Sequence, residues 1–258
     1  MLGAIAGDII GSVYEFDNIK TTDFELFTEY SSFTDDTVLT VAVAAAILRN
    51  EPIDKMLREF WALYVVGYGN RFDRWARNNL EGPYNSWGNG AAMRISPVAY
   101  ACDNLVDVLA LADKYTSVTH NHPEGIKGAQ ATAAAVFLAR TGSNKKQIRE
   151  YVERHFGYDL SRTCDNIRPD YKFDESCQGT VPEAIIAFLE STNFEGAIRL
   201  AVSLGGDTDT LACITGSIAE GYYGCVPEWI AGESLARLDN TLRGVVEEFS
   251  SRYTVPAT

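Results

Sequence analysis

Apolar residues recur along most of the chain at the three- and four-residue spacing of α-helices. Residues 37–49 are apolar and rich in alanine on nearly every side, which is typical of a helix buried in a core. Residues 123–140 begin with proline and end before Thr141 and Gly142, as expected for a helix with proline in its first turn. The same spacing predicts further helices over residues 104–115, 145–156, 181–190, 194–204, 211–222 and 235–249.

Sustained alternation of apolar and polar residues, the pattern of half-buried strands, is hard to find in this sequence. The pattern therefore predicts an all-α fold, with the helices packed as an orthogonal or bundled domain. Two polar stretches that contain glycine, residues 67–90 and 161–179, are predicted to be loops, and loops of this size in a helical domain are more often functional than idle. No linker divides the chain, so residues 1–258 are interpreted as a single domain.

The first helical pattern covers residues 5–16 and contains glycines at a spacing of four. Gly7 and Gly11 leave one side of this helix without side chains, so another helix or a ligand can approach closely. Glu15 ends the pattern among apolar neighbours. It is interpreted either as a surface residue at a helix end or as part of a site.

The negative net charge of the chain limits the classes of partner that it is expected to bind. The net charge is -13 and the pI is near 4.7. Such a chain is not attracted to nucleic acid or to anionic membranes, so neither is expected as a partner. No apolar run of about 18 residues predicts a membrane span. The five cysteines form no Cys-x-x-Cys pair and no basic segment opens the chain, so we expect free thiols and a cytoplasmic location.

Two acidic clusters each stand where a predicted helix begins. The first consists of Thr34, Asp35 and Asp36, ahead of the helix predicted at 37–49. Helix capping explains one of these acids, because Thr and Asp side chains accept the free N–H groups of a first turn and carboxylates suit the helix dipole. Two adjacent carboxylates repel each other and exceed what a cap needs. Taken alone, the cluster stays open between a cap and a site.

The second cluster, Asp207, Asp209 and Thr210, follows a Gly-Gly turn and precedes the helix predicted at 211–222. If the two clusters pack together, they place four carboxylates in one pocket, which requires cations. Carboxylate and hydroxyl oxygens select hard cations, so Mg²⁺, and after it Mn²⁺, is expected rather than zinc. The ligand count suits two ions and predicts a metal-dependent hydrolase.

Two weaker motifs lie between the clusters. Gly88, Asn89 and Gly90 form a predicted turn whose successive N–H groups are able to face phosphate oxygens, although Asn-Gly marks many ordinary turns. His120 and His122 precede the next predicted helix. A His-x-His pair without softer ligands is weak evidence for a metal site, and a histidine that contacts substrate at a helix entry fits at least as well.

Taken in chain order, these segments resemble the ADP-ribosylglycohydrolase family, which includes dinitrogenase reductase-activating glycohydrolase and the ADP-ribosyl-arginine and ADP-ribosyl-serine hydrolases. The matching motifs are Gly-Asp-x-x-Gly, Phe-Thr-Asp-Asp-Thr, Gly-Asn-Gly-Ala-x-Met-Arg, Thr-His-x-His-Pro and Gly-Gly-Asp-Thr-Asp-Thr. The resemblance implies a compact orthogonal helical bundle with two Mg²⁺ or Mn²⁺ ions in a cleft. The implied metal ligands are Thr34, Asp35, Asp36, Asp207, Asp209 and Thr210.

The resemblance also implies a reaction, namely hydrolysis at the anomeric C1″ carbon of an ADP-ribosyl group on a modified protein or a small molecule. Asp35 or Glu15 would act as general base or stabilise an oxocarbenium-like transition state. The implied loop contacts reach the diphosphate, and the nearby aromatic side chains are expected to stack on adenine. The expected substrate-binding residues are Tyr84, Trp87, Gly88, Asn89, Gly90, Ala91 and His120.

Three further points bear on this interpretation. None of Asn85, Ser86 and Trp87 is acidic, whereas some arginine-type members have Asp near that position, so the linkage stays open. A phosphatase of the haloacid dehalogenase type is an alternative, since Asp207 and Asp209 echo its Asp-x-Asp-x-Thr motif, but that motif follows a strand. A non-catalytic ADP-ribose binder or structural relative is the other alternative, although all four aspartates are present.

Overall fold

The computed structural model describes residues 1–78 and 82–253; residues 79–81 of the predicted 67–90 loop, and residues 254–258, lie outside the described residues. In the described ranges the only pairing of extended backbone is an isolated bridge between Gly88 and Ser176, so the predicted all-α class is confirmed. The helices are α1 Leu2–Gly11, α2 Asp35–Arg49, α3 Ile53–Leu63, α4 Asn70–Arg77, α5 Gly90–Met93, α6 Val98–Ala101, α7 Leu105–Thr116, α8 Pro123–Arg140, α9 Lys145–Phe156, α10 Cys164–Ile167, α11 Cys177–Glu190, α12 Phe194–Ser203, α13 Thr208–Tyr223, α14 Glu228–Ala236 and α15 Asn240–Tyr253.

Most predicted helices agree with the structure to within a few residues, but the predicted start of the helix over 235–249 is wrong. Residues 235 and 236 end α14, and α15 begins only at Asn240. The cause is local, because Asp239 Oδ1 accepts the backbone N–H groups of Thr241 at 2.8 Å and Leu242 at 2.9 Å. A side chain that satisfies the N–H groups of a first turn starts a new helix.

The two predicted loops also contain helices. α4 lies within residues 67–90; it is polar in composition, yet it buries Phe72, Trp75 and Ala76, which share one helical face. Residues 161–179 contain α10 and the first turn of α11. Ser176 starts α11 earlier than predicted, because its side chain accepts the N–H of Gly179. α3 was not predicted, although it buries an apolar face of its own.

α13 forms the centre of the described fold. Its residues from Thr208 to Ala219 are buried, and it packs against α1, α8, α11 and α12. A helix surrounded in this way has to be apolar or small on all sides, which is the pattern that its sequence shows. In the described part of the chain, no helix combines the length and the apolarity that crossing a lipid bilayer requires.

The crossing of α1 over α13 is close because glycines face the contact. A Cβ atom at Gly7 would overlap the carbonyl oxygen of Ala212, and one at Gly11 would overlap the backbone of Thr208 and Asp209. The close approach expected from the glycine spacing is therefore an approach to a second helix. It sets the end of α1 directly beside the beginning of α13, where the second acidic cluster lies.

We predict that Gly7→Ala lowers the free energy of unfolding by about 1–3 kcal/mol, because α1 and α13 must separate to admit the methyl group. Gly244→Ala in α15 is the matched control. A Cβ there meets nothing within 4 Å, so we expect a gain of ~0.4–1 kcal/mol from reduced freedom of the unfolded chain. Denaturant unfolding of both variants tests this, and equal stabilities would contradict the close crossing.

Candidate active site

The two acidic clusters and the segment from Tyr84 to Gly90 open onto one cleft of about 450 Å³. Thr34 and Ala91 are the two predicted site residues that do not line it. The predicted site residues that line the cleft are Glu15, Asp35, Asp36, Tyr84, Trp87, Gly88, Asn89, Gly90, His120, Asp207, Asp209 and Thr210. Packing thus brings together residues from the ends of α1, α2 and α13 that are far apart in sequence.

Carboxylates dominate one end of this cleft. Carboxylate oxygens of Glu15, Asp207 and Asp209 all lie within 4.8 Å of one another. Asp36 is buried nearby, and its Oδ2 atom has no hydrogen-bond partner among the described residues. A buried carboxylate oxygen without a donor is costly unless a cation approaches it. The oxygen-only donor set is the type that Mg²⁺ and Mn²⁺ prefer, so this cluster can hold a divalent cation.

The clustering raises the pKa values of these acids. Burial raises the pKa of Glu15 to about 7, with further contributions from the charges of Asp207 and Asp8. Burial, followed by the charges of Asp8 and Asp207, raises the pKa of Asp35 to about 8. Burial and neighbouring carboxylates likewise hold the pKa of Asp209 well above its usual range. Each acid resists ionisation mainly because it is buried, and the neighbouring carboxylates add to this effect.

Asp8 holds the start of α2 in place through hydrogen bonds, a role that was not predicted from the sequence. This fully buried carboxylate accepts four hydrogen bonds, from the backbone N–H and the hydroxyl of both Thr34 and Thr37. Thr34 Oγ1 in turn caps α2 by accepting the N–H of Asp36 at 3.2 Å. The capping interpretation therefore applies to Thr34, while Asp35 and Asp36 face the cleft. The sequence signal for this role of Asp8 is that it is a single acidic residue within an apolar helix that contains regularly spaced glycines.

The segment of residues 88–91, here called the glycine loop, uses most of its own N–H groups. Gly88 donates to Ser86 Oγ at 3.1 Å, Asn89 donates to the carbonyl of Glu175 at 2.7 Å, and Ala91 donates to the carbonyl of Gly88 at 3.3 Å. Only the Gly90 N–H has no acceptor among the described residues. The sequence predicts a row of free N–H groups that face phosphate oxygens, whereas in this conformation only the Gly90 N–H of the glycine loop is free of acceptors in the described part of the chain.

Asn89 turns its side chain away from the loop and towards the acids. Its Nδ2 donates to Asp207 Oδ2 at 2.6 Å and to Thr180 Oγ1 at 3.1 Å. The glycine loop is therefore hydrogen-bonded directly to the second acidic cluster. This link orients one oxygen of Asp207 and leaves the other available to a ligand.

Aromatic and basic side chains also line the cleft. Tyr84 packs against the ring of His120 at 5.7 Å between centroids, and the Arg71 guanidinium lies 5.2 Å from the Tyr84 ring. Trp87 stands at the cleft edge with 45% of its surface exposed, in edge-to-face contact with His122. These surfaces are able to stack on a planar ring. Lining residues without a predicted role include Arg71, Phe72, Phe173 and Glu175, which no motif marks. Arg94, which ends the Gly-Asn-Gly-Ala-x-Met-Arg motif, also lines the cleft without a predicted role.

The second cluster lacks the setting of a haloacid dehalogenase-type phosphatase. Asp207 stands at the N-terminus of α13, and α12 precedes it where such a phosphatase has a buried strand. The described residues contain no strand at all, so the required context for that motif is missing.

Three known proteins are similar to this chain in sequence or in fold. ADP-ribosylhydrolase ARH3 of Xenopus tropicalis is 27% identical to this chain, over 87% of this chain and 86% of that protein. ADP-ribosylarginine hydrolase Tri1 of Pseudomonas putida is 25% identical, over 89% and 72% respectively. A solved chain described as an ADP-ribosylglycohydrolase-related protein complex shares the fold, with a TM-score of 0.70 over 98% of this chain and 97% of its own, at 23% identity.

A family profile matches nearly the whole chain. The profile of the family described as ADP-ribosylglycohydrolase matches residues 1–256, which includes both acidic clusters and the glycine loop. The chain therefore belongs to the ADP-ribosylglycohydrolase family.

Proposed function

We propose that this protein hydrolyses the glycosidic bond at C1″ of an ADP-ribosyl group and releases ADP-ribose from a modified protein or small molecule. The observation that carries the proposal is that one cleft joins a cluster of buried acids to the glycine loop and an aromatic wall. Membership of the family supports the reaction class, and the relatives' names include ADP-ribosylhydrolase and ADP-ribosylarginine hydrolase.

The acidic end of the cleft is proposed to hold two Mg²⁺ or Mn²⁺ ions. The residues that line the cleft and would hold them are Asp35, Asp36, Asp207, Asp209 and Thr210, with Glu15 adjacent. Thr34 does not line the cleft, and its hydroxyl would have to leave Asp8 to join these ligands. Bound there, the ions would orient the ribose hydroxyls and make a water molecule more acidic. The unpartnered Oδ2 of Asp36 and the close approach of Glu15 to Asp209 support this assignment.

Side chains of the protein would accept the proton of the attacking water molecule and stabilise the charge that develops on the ribosyl group. Asp35 or Glu15 is proposed as the general base, because both carboxylates line the cleft beside the other acids, and bound cations would lower their raised pKa values so that they are ionised near neutral pH. The carboxylate that does not take the proton of the water molecule would stay ionised and stabilise positive charge that develops at the anomeric carbon. Elsewhere in the cleft, Tyr84 and Trp87 would stack on adenine, while the Gly90 N–H and His120 would face the diphosphate.

We predict that Asp209→Asn lowers the rate of ADP-ribose release by at least about 100-fold, because a cation loses a buried ligand. Asp54→Asn, at an exposed position in α3, makes the same chemical change away from the cleft and should leave the rate unchanged. Release is measured from a panel of defined ADP-ribosyl substrates, with added Mg²⁺ or Mn²⁺ and with a chelator.

Two results of that panel would contradict the proposal. Undiminished release by Asp209→Asn would reject the metal assignment. Tight binding of ADP-ribose without turnover of any linkage would show that the chain is a non-catalytic binder. Loss of fold is separable from both results, because replacing one of several crowded acids by a neutral amide should not lower the stability of the metal-free protein.

Cation binding should also depend on pH. Acids whose pKa is raised by folding bind protons more tightly in the folded state than in the unfolded state. For Glu15 and Asp35 this lowers stability progressively as the pH rises from their unfolded values to about 7 and about 8, and the cost disappears below the unfolded values. Because a divalent cation binds the ionised cluster, Mg²⁺ or Mn²⁺ should raise the thermal midpoint more at about pH 8 than at about pH 6. Thermal unfolding with and without cation measures this, and equal shifts at both pH values, or an unchanged shift in Asp209→Asn, would contradict it.

A further inference from the structure

We propose that Thr119 and Arg94 are positioning residues that fix His120 in the neutral tautomer with its proton on Nε2, so that the ring donates a hydrogen bond into the cleft beside the glycine loop. The fixed tautomer follows from the hydrogen bonds around these three side chains. Its use, the recognition of an anionic oxygen of the substrate, rests on the proposed function.

The hydrogen bonds that lead to His120 start at Arg94. Its side chain is 1% exposed, and its Nη2 donates to Thr119 Oγ1 at 2.6 Å. A guanidinium has donors only, so the Thr119 hydroxyl must act as the acceptor in this contact. The Nε and Nη1 atoms of Arg94 have no partner among the described residues, which makes the bond to Thr119 the one that orients the guanidinium. The Thr119 hydroxyl is left with its own proton to donate elsewhere.

The Tyr84 hydroxyl also contacts the Thr119 hydroxyl, and because it has a proton of its own it can donate to the second lone pair of that oxygen. Distance separates the two other acceptors of the Thr119 proton. His120 Nδ1 lies 2.8 Å from Thr119 Oγ1, whereas the Thr116 carbonyl oxygen lies 3.4 Å from it. Hydroxyl hydrogen bonds are usually 2.5–3.0 Å long, roughly, so the nitrogen is the favoured acceptor. A neutral imidazole that accepts at Nδ1 carries its proton on Nε2. The arrangement of Arg94 and Thr119 therefore selects one of the two tautomers.

His120 is also held neutral. Burial lowers the pKa of His120 well below its usual range, and the charges of Arg94 and Arg71 lower it further. The ring is oriented with Nε2 towards the glycine loop, because a methyl group added at Gly90 would lie 3.4 Å from that nitrogen. Nε2 is therefore a neutral donor at the loop rather than part of an imidazolium.

The need for such a donor follows from the glycine loop itself. Gly88, Asn89 and Ala91 already use their N–H groups within the protein, and Gly90 retains one free N–H. A phosphate oxygen in this part of the cleft would thus meet few backbone donors. The opposite tautomer of His120 would present a lone pair to it and repel it. Fixing the tautomer converts the ring from a competing acceptor into a donor.

The tautomer can be observed directly in the full chain. The protein has three histidines, so ¹⁵N-histidine labelling with two-bond ¹H–¹⁵N correlation spectra resolves each ring, and His120→Gln assigns the relevant one. We expect the proton of His120 on Nε2 in the wild type and in Thr119→Ser, which keeps the hydroxyl. Thr119→Val should allow the proton to exchange between both nitrogens. A wild-type ring protonated on Nδ1, or an unaltered ring in Thr119→Val, would overturn the proposal.

Thr116→Val is the matched control for this substitution. Thr116 is buried in the same helix end, but its hydroxyl has no hydrogen-bond partner among the described residues. The change of hydroxyl to methyl is therefore the same, while the contact to His120 is untouched. We expect wild-type tautomer and wild-type ligand affinity in Thr116→Val. Loss of the tautomer in this control would attribute the effect to packing and reject the positioning role.

Calorimetry with ADP-ribose in the presence of Mg²⁺ then tests the use of the donor. We expect Thr119→Val to bind about tenfold more weakly and Thr119→Ser to restore the affinity, the scale of one hydrogen bond to a charged group. Unchanged affinity in Thr119→Val together with an altered tautomer would reject the recognition role. Absence of ADP-ribose binding by the wild type would reject the proposed function, while the wild-type spectrum still decides the tautomer.

Discussion

The close crossing of α1 and α13 is the constraint on which the candidate site depends. Gly7 and Gly11 remove the side chains that would hold the two helices apart, so their backbones come into contact. The end of α1 then lies beside the first turn of α13, and Glu15 comes within ligand distance of Asp207 and Asp209. Side-chain packing at an ordinary helix spacing of 8–10 Å, roughly, would not bring these oxygens so close.

This geometry concentrates negative charge where the protein can least screen it. Asp35, Asp36 and Asp209 occupy the first turns of α2 and α13, where the helix dipole favours carboxylates. The dipole contributes roughly 0.3–1 kcal/mol per charge, which is smaller than the cost of burying several like charges together. The pKa of Asp35, raised to about 8, reflects the part of this cost that the helix dipole does not offset. The buried acids thus lower the stability of the folded protein, and binding of a cation or a proton to them can restore it, as is common at functional sites.

Much of the fold and the types of residue in the site could be predicted from the sequence, because both depend on local patterns. Helical periodicity located α8 and α9 at their observed bounds, and repeated acids at helix starts marked both clusters. The directions of individual side chains could not be predicted in this way. The contact from Asn89 to Asp207 joins segments far apart in sequence, and the buried role of Asp8 appears only when α2 packs over α1. The break between α14 and α15 was missed because one capping side chain outweighs an unbroken apolar pattern.

The contact between Asn89 and Asp207 has a consequence for the cleft as a whole. Asn89 belongs to the glycine loop, whose backbone is also tied to Glu175, while Asp207 belongs to the acidic cluster. The amide donates to one oxygen of Asp207 and thereby fixes the direction of the other. A displacement of the loop on ligand binding must therefore move or release Asp207, and a ligand held by Asp207 must restrain the loop. The glycine loop and the second acidic cluster are in this sense one structural unit, joined by a buried hydrogen bond of 2.6 Å.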